Sequence, residues 1–243
     1  MTTSEEPTRP RQHGDEPHVG GLNDRLNRLR AGVLGANDGI VSTAGIVMGV
    51  AGATTDRSAI LVAGVAGLVA GALSMGAGEY VSVSTQRDSE LALLQKERDE
   101  LRDDPTSELE ELAGLYVDRG LDADLAHRVA EQLTARDALG AHAEIELGID
   151  PDDLTSAWNA ALASTLSFTL GALLPLLTVL LTGPSWRVAV TVVAVTLALA
   201  LTGWTSAWFG FGPRGRAVAR NVVGGLVAMG VTYAIGTLIG AGL

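Results

Sequence analysis

The chain is predicted to be an all-α integral membrane protein with five transmembrane helices and a three-helix insert between spans two and three. Three observations predict this. Residues 59–78, 154–186, 188–213 and 221–243 contain no charged side chain, and 31–55 contains only Asp38. Crossing ~30 Å of hydrocarbon takes roughly 20 apolar residues in a helix, and helices keep every backbone group paired where water is absent. Third, residues 88–153 carry twenty acidic and six basic residues, a formal charge of −14 against −11 for the whole chain. That block has helical spacing and no strand pattern.

Taken in order, residues 1–29 read as a polar, disordered tail with Pro7, Pro10 and Pro17. A long acidic tail before a long apolar run argues against a cleaved signal peptide. Spans one and two occupy 30–87. Span two is expected to continue out of the bilayer, because 79–104 has no Gly or Pro and Leu91, Leu94 and Leu101 recur at helical spacing. Asp104 and Pro105 supply an N-cap and a first-turn proline for the next helix. Gly120 ends it, Asp122 starts a third helix to about Leu147, and Gly148 closes that helix. The insert is thus 88–153, and spans three to five fill 154–243. Pro175 is expected to kink span three, and Trp186, Trp204 and Trp208 sit near span ends as an aromatic belt does. Gly67 with Gly71, and Gly236 with Gly240, are small-residue pairs that let helices approach closely.

Orientation follows from the basic residues. Arg25, Arg28 and Arg30 precede span one, and Arg214, Arg216 and Arg220 lie between spans four and five; the other side keeps only Arg57 and Arg187. The N-terminus and the acidic insert are therefore expected in the cytoplasm and the C-terminus outside. The single lysine and the Ala, Gly, Val, Leu and Arg bias favour a bacterial cell membrane over a vacuole.

Composition excludes several activities. Without cysteine there is no disulfide, thiolate metal site or cysteine nucleophile. Lys96, the only lysine, follows Gln95, so no phosphate-binding loop exists. All four histidines fall outside the spans, against an intramembrane serine–histidine protease. Glu-x-x-His pairs on two helices, the mark of a di-iron carboxylate oxidase, are lacking. The chain is expected not to be an enzyme, to hold no cofactor and to bind no nucleic acid.

The residues that remain point to cations. Asp38 lies on the order of 12 Å beyond Arg30 along the helix, and an aspartate there costs ~2.5–3.5 kcal/mol unless it faces a cavity, an ion or a proton path. Met75 and Glu79 share a face of span two, one turn apart, and a thioether beside a carboxylate suits a borderline transition metal. In the insert, Glu97 with Glu100 and Glu108 with Glu111 form E-x-x-E pairs on consecutive antiparallel helices. His142 and Glu146, four apart on the third, can close the cluster. The plain alternative is that these acidic helices are solvated faces.

The run Gly35, Ala36, Asn37, Asp38, Gly39, the span-two stretch 70–80, the glutamate-bearing insert, the stretch 141–148 and Gly171 to Pro175 together resemble the vacuolar iron transporter family. The resemblance runs from about Arg30 to the C-terminus. It implies a homodimer, lipid-embedded, exporting Fe2+ or Mn2+ from the cytoplasm in exchange for protons, and it leaves the place of Zn2+ and Co2+ beside them open. It also implies that Glu97, Glu100, Glu108, Glu111 and Glu146 coordinate metal, and that Asp38 and Met75 line a path at the dimer interface. His142 stands where some relatives carry a methionine, and Gly67 where some carry a glutamate, which leaves the proton route and the order of metals open. A membrane-anchored metal-binding protein that transports nothing is the competing expectation.

Overall fold

The structure is a computed structural model; it describes residues 19–152 and 154–242, with side chains described from Gly32 onward, so Asp153 falls outside it. Seven α-helices follow one another: α1 (Val19–Ala53), α2 (Arg57–Asp103), α3 (Pro105–Asp118), α4 (Ala123–His142), α5 (Ala157–Leu181), α6 (Pro184–Phe209) and α7 (Arg214–Gly242). A single π-turn, Ala143–Leu147, follows α4. The described residues contain no strand. Five helices are long and apolar enough to cross a membrane: α1 over Gly32–Ala53, α2, α5, α6 and α7.

The expected tail, 1–29, is too long at its inner end. Helix α1 already begins at Val19, because Leu22, Leu26 and Leu29 repeat at the spacing that gives a helix one apolar stripe. Residues 1–18 lie outside the described residues.

Helix α1 is the centre of the bundle and touches α2, α5, α6 and α7. Its Ile40, Ala44 and Met48 pack on Val195 and Leu199 of α6 and Met229 of α7. On another face, Val47 packs with Ile60 of α2 and Leu176 and Val179 of α5. Hydrophobic burial cannot drive association in lipid, so close backbone approach must. A Cβ on Gly39 would strike the Phe168 carbonyl of α5, and one on Gly236 would strike the Gly49 carbonyl of α1. Gly240 lies against Ala53, Gly67 against the Ile46 side chain, and Gly71 under the Phe168 ring. Both small-residue pairs are therefore used within the chain.

These contacts also set direction. Gly35 and Gly39 meet Ser164 and Phe168, and Gly49 and Ala53 meet Gly236 and Gly240, so α1, α5 and α7 run parallel. Helices α2 and α6 run against them: Gly64 meets Leu176 while Gly76 meets Thr165, and Leu199 meets Gly225 while Gly203 meets Ala217. The insert and the α6–α7 turn, with Arg214, Arg216 and Arg220, share one end. At the other end Arg57 donates to the Leu180 carbonyl, and buried Arg187 reaches the Thr55 carbonyl at 3.4 Å, tying the two hairpins together. Helix α5 continues across Pro175 as one helix.

At ~1.5 Å per residue the 47 residues of α2 extend about 70 Å. The helix leaves the bundle near Tyr80, whose ring lies 4.8 Å from that of Trp158 at the start of α5. The distal part of α2 packs with α3, α4 and the π-turn. Asp104 turns the chain: its carboxylate accepts from Ser107 N at 3.1 Å while Pro105 opens α3. Leu112, Ala113, Ala130 and Ala141 form a small core between α3 and α4.

The expectation of one unbroken helix to about Leu147 needs correction. Asp137 is extended (φ −162°, ψ 93°) inside α4, and its Oδ1 accepts from Gly140 N at 3.0 Å. Asp137 thus acts as an N-cap that restarts the helix. The restarted segment, 138–147, then widens into the π-turn and ends at Gly148, which is left-handed (φ 66°).

Candidate metal centre

Three elements converge where the distal part of α2 meets the insert. Helix α2 turns Leu94 and Glu97 inward, one turn apart; α3 turns Glu108, Leu112 and Ala113 inward; the segment after Asp137 brings His142. His142 is 0 % exposed and Glu97 3 %. One ligand atom each from Glu97, Glu108 and His142 lies within 4.8 Å of the others. Nδ1 of His142 is 2.9 Å from Glu97 Oε1, 3.8 Å from Glu108 Oε2 and 3.6 Å from Glu146 Oε2.

Distance and direction tell different stories here. Glu97 Oε1 and both imidazole nitrogens of His142 are buried without a hydrogen-bond partner in the protein. Unpaired buried polar atoms are costly, and native interiors hold few. Burial also raises the Glu97 carboxyl above its ordinary 4.5, with Glu146 adding to the rise and His142 opposing it. Glu108 is raised in the same way, first by burial and then by the nearby Glu111. Two carboxylates and an imidazole packed this closely, with Glu97 Oε1 and both imidazole nitrogens buried and without a partner, make a donor set that a divalent cation would neutralise. Imidazole suits iron and zinc, and carboxylate suits manganese.

Of the six residues expected in the insert, the structure brings together Glu97, Glu108 and His142, with Glu146 beside them and its side chain 29 % exposed. Glu100 pairs with Lys96 at 2.7 Å and shares a surface pocket with Glu108. Glu111 is exposed. Both lie near enough to raise the Glu108 carboxyl, so they contribute field rather than contact. Two residues that spacing did not single out belong to the site's frame. Asp137 restarts the helix that carries His142, and Arg119 Nη2 donates to the Ile145 carbonyl of the π-turn at 2.7 Å. An aspartate three residues before a glycine was the available signal for the first; nothing local marks the second.

The three residues expected within the bundle are not joined to one another by any described hydrogen bond or ion pair. Asp38 is exposed on the outer surface of α1, and its backbone carbonyl accepts from Ser42 Oγ at 2.6 Å. Met75 packs on Ala72, Phe168 and Ala172. Glu79 is half-buried close to where α2 leaves the bundle. One turn along from Asp38, an open apolar groove of about 560 Å³ runs between α1 and α7, lined by Ser42, Gly45, Ile46, Gly49, Thr232 and Gly236 among others.

Residues 29–237 match the model of the VIT family. The chain is 43 % identical over 211 residues to the vacuolar iron transporter of Acanthamoeba castellanii, covering 86 % of this chain and 78 % of that protein. It is 38 % identical over 217 residues to vacuolar iron transporter homolog 2 of Arabidopsis thaliana, covering 89 % and 86 %. Against vacuolar iron transporter homolog 1 of Oryza sativa subsp. japonica the identity is 39 % over 225 residues, covering 91 % and 78 %. On this evidence, and in agreement with the motifs around Asp38, Met75 and His142, the chain belongs to the VIT family.

Proposed function

We propose that this protein is a multi-pass membrane transporter that moves Fe2+, Mn2+ or both out of the cytoplasm in exchange for protons. The observation that carries the reading is the buried group of Glu97, Glu108 and His142, whose ligand atoms lie within 4.8 Å of one another and in which Glu97 Oε1 and both His142 nitrogens have no hydrogen-bond partner. The printed names of the relatives, vacuolar iron transporters, favour iron as cargo. Residues 88–153 then form a cytoplasmic metal-binding domain in which Glu97, Glu108, His142 and Glu146 hold the ion, and Glu100 and Glu111 raise its local concentration. Sidedness is supported by Arg214, Arg216 and Arg220 sharing an end with the insert, since such residues collect on the cytoplasmic side.

Release into the bundle uses Asp38, Met75 and Glu79. An aspartate facing acyl chains is expensive, and Asp38 is exposed on the single chain. A second copy seated along α1 and the groove beside α7 removes that cost and places two aspartates along a shared path; this supports a homodimer. Protons arriving from outside compete for the carboxylates and discharge the metal, giving sites strong enough to capture and weak enough to release.

The test is uptake by proteoliposomes of Fe2+, Mn2+, Co2+ and Zn2+ with and without a pH gradient. Flux that depends on the gradient and is lost in Asp38→Asn supports the reading. Flux indifferent to both removes the coupling. A membrane-anchored metal-binding protein is the second reading, favoured by the absence of any described bond between the insert's site and Asp38. It predicts metal binding with no flux.

A further inference from the structure

We infer that Arg119 is a positioning residue for the metal centre, holding Glu146 in place through the π-turn; the inference rests on the metal-binding reading above. The segment 138–147 carries two of the four converging side chains, His142 and Glu146, and is fixed separately at each end. Asp137 caps its start through Gly140 N at 3.0 Å. At its end the N–H groups of Gly148 and Ile149 both donate to the Ala143 carbonyl. In an α-helix the Ile149 N–H would instead serve the Ile145 carbonyl. The π-turn frees that carbonyl, and the Arg119 guanidinium takes it at 2.7 Å, across 26 residues of sequence.

The Ile145 carbonyl belongs to the peptide unit that ends at the nitrogen of Glu146. Fixing its direction fixes the plane from which the Glu146 side chain departs, and Glu146 Oε2 lies 3.6 Å from His142 Nδ1. Arg119 itself caps α3, the helix that carries Glu108. One guanidinium therefore sets the spacing between two carboxylates supplied by different helices. Isolated π-turns recur at functional sites, and outer partners of metal ligands usually orient them by such bonds. Gly148, left-handed at φ 66°, is what lets the turn close behind Glu146.

The sign of the effect separates positioning from charge. Removing a cation near an anionic site would tighten divalent binding by simple electrostatics; removing a positioning residue weakens it. Mn2+ titration of the purified full-length protein, by calorimetry and by the electron paramagnetic resonance signal of free Mn2+, reads this directly. Arg119→Ala should weaken Mn2+ binding about tenfold, Arg119→Lys should retain most of the affinity, and Arg119→Ala should add nothing in a Glu146→Gln background. Unchanged or tighter binding in Arg119→Ala overturns the inference. So does an equal loss in both backgrounds accompanied by a fall in the metal-free melting temperature, which would make Arg119 a purely structural staple. If instead Glu97→Gln and His142→Ala bind Mn2+ like the parent, the metal reading itself fails and Arg119 falls with it.

Discussion

Nδ1 of His142 and Oε1 of Glu97 stand 2.9 Å apart, yet no hydrogen bond joins them. Buried groups at such a distance ordinarily align into one. Here both residues offer a ligand atom within 4.8 Å of a Glu108 carboxylate oxygen, a spacing that ligands around one ion can share. His142→Ala and Glu97→Gln should each weaken Mn2+ binding by at least the roughly tenfold that losing an outer partner costs. Glu111→Gln, removing an exposed and screened charge, should stay within about twofold. Titration of the full-length protein with Mn2+ checks all three.

The same burial makes stability depend on pH with a definite sign. The folded pKa values of Glu97 and Glu108 are raised above the ordinary 4.5 by burial. Such groups stabilise the fold fully below the unfolded value and lose that contribution as pH climbs through the folded one. The metal-free protein should therefore melt higher at about pH 5 than at about pH 7.5, and Glu97→Gln should flatten the difference. Bound metal reverses the preference, because it requires the ionised carboxylates. At 100 times its Kd, Mn2+ should add about 2.7 kcal/mol at neutral pH, seen as a rise in melting temperature that disappears on acidification.

Much of this architecture is legible in the sequence. Four charge-free runs and a fifth interrupted only by Asp38 mark the five apolar helices, and Asp104 with Pro105 marks the turn between α2 and α3. E-x-x-E spacing named Glu97 and Glu108 but could not rank them above Glu100 and Glu111, because spacing assigns a helix face and only packing against His142 decides which end of it is buried. Asp137 escaped notice because an N-cap inside a continuous helical pattern looks like one more surface aspartate. Arg119 escaped because its partner is a carbonyl freed by a π-turn 26 residues away. The early start of α1 was hidden by polar neighbours around Leu22, Leu26 and Leu29.

Packing within the bundle makes a sharper demand on glycine than on any large side chain. A Cβ at Gly236 would meet the Gly49 carbonyl, and one at Gly39 the Phe168 carbonyl, with backbone rather than a flexible tip in the way. Gly236→Val and Gly39→Val should force α1 away from α7 or α5 and cost about 1–3 kcal/mol or more. Gly78, with open space around it, should accept alanine with a gain of up to about 1 kcal/mol in helix propensity. Thermal melts in one detergent, with the three variants side by side, make the comparison.

Lys96 offers a way to raise affinity. Its ammonium sits 2.7 Å from Glu100 and is itself held charged by Glu100, Glu146 and Glu97. The pair is exposed, so breaking it should leave the melting temperature nearly unchanged. What changes is the field: Lys96→Gln removes the chain's only lysine from beside the site and frees the Glu100 carboxylate for an incoming cation. Mn2+ affinity should then rise about two- to threefold at low ionic strength, and the gain should shrink as salt screens it. A Lys96→Arg control keeps the charge and should bind as the parent does, which separates the electrostatic effect from any loss of packing along the α2 stem.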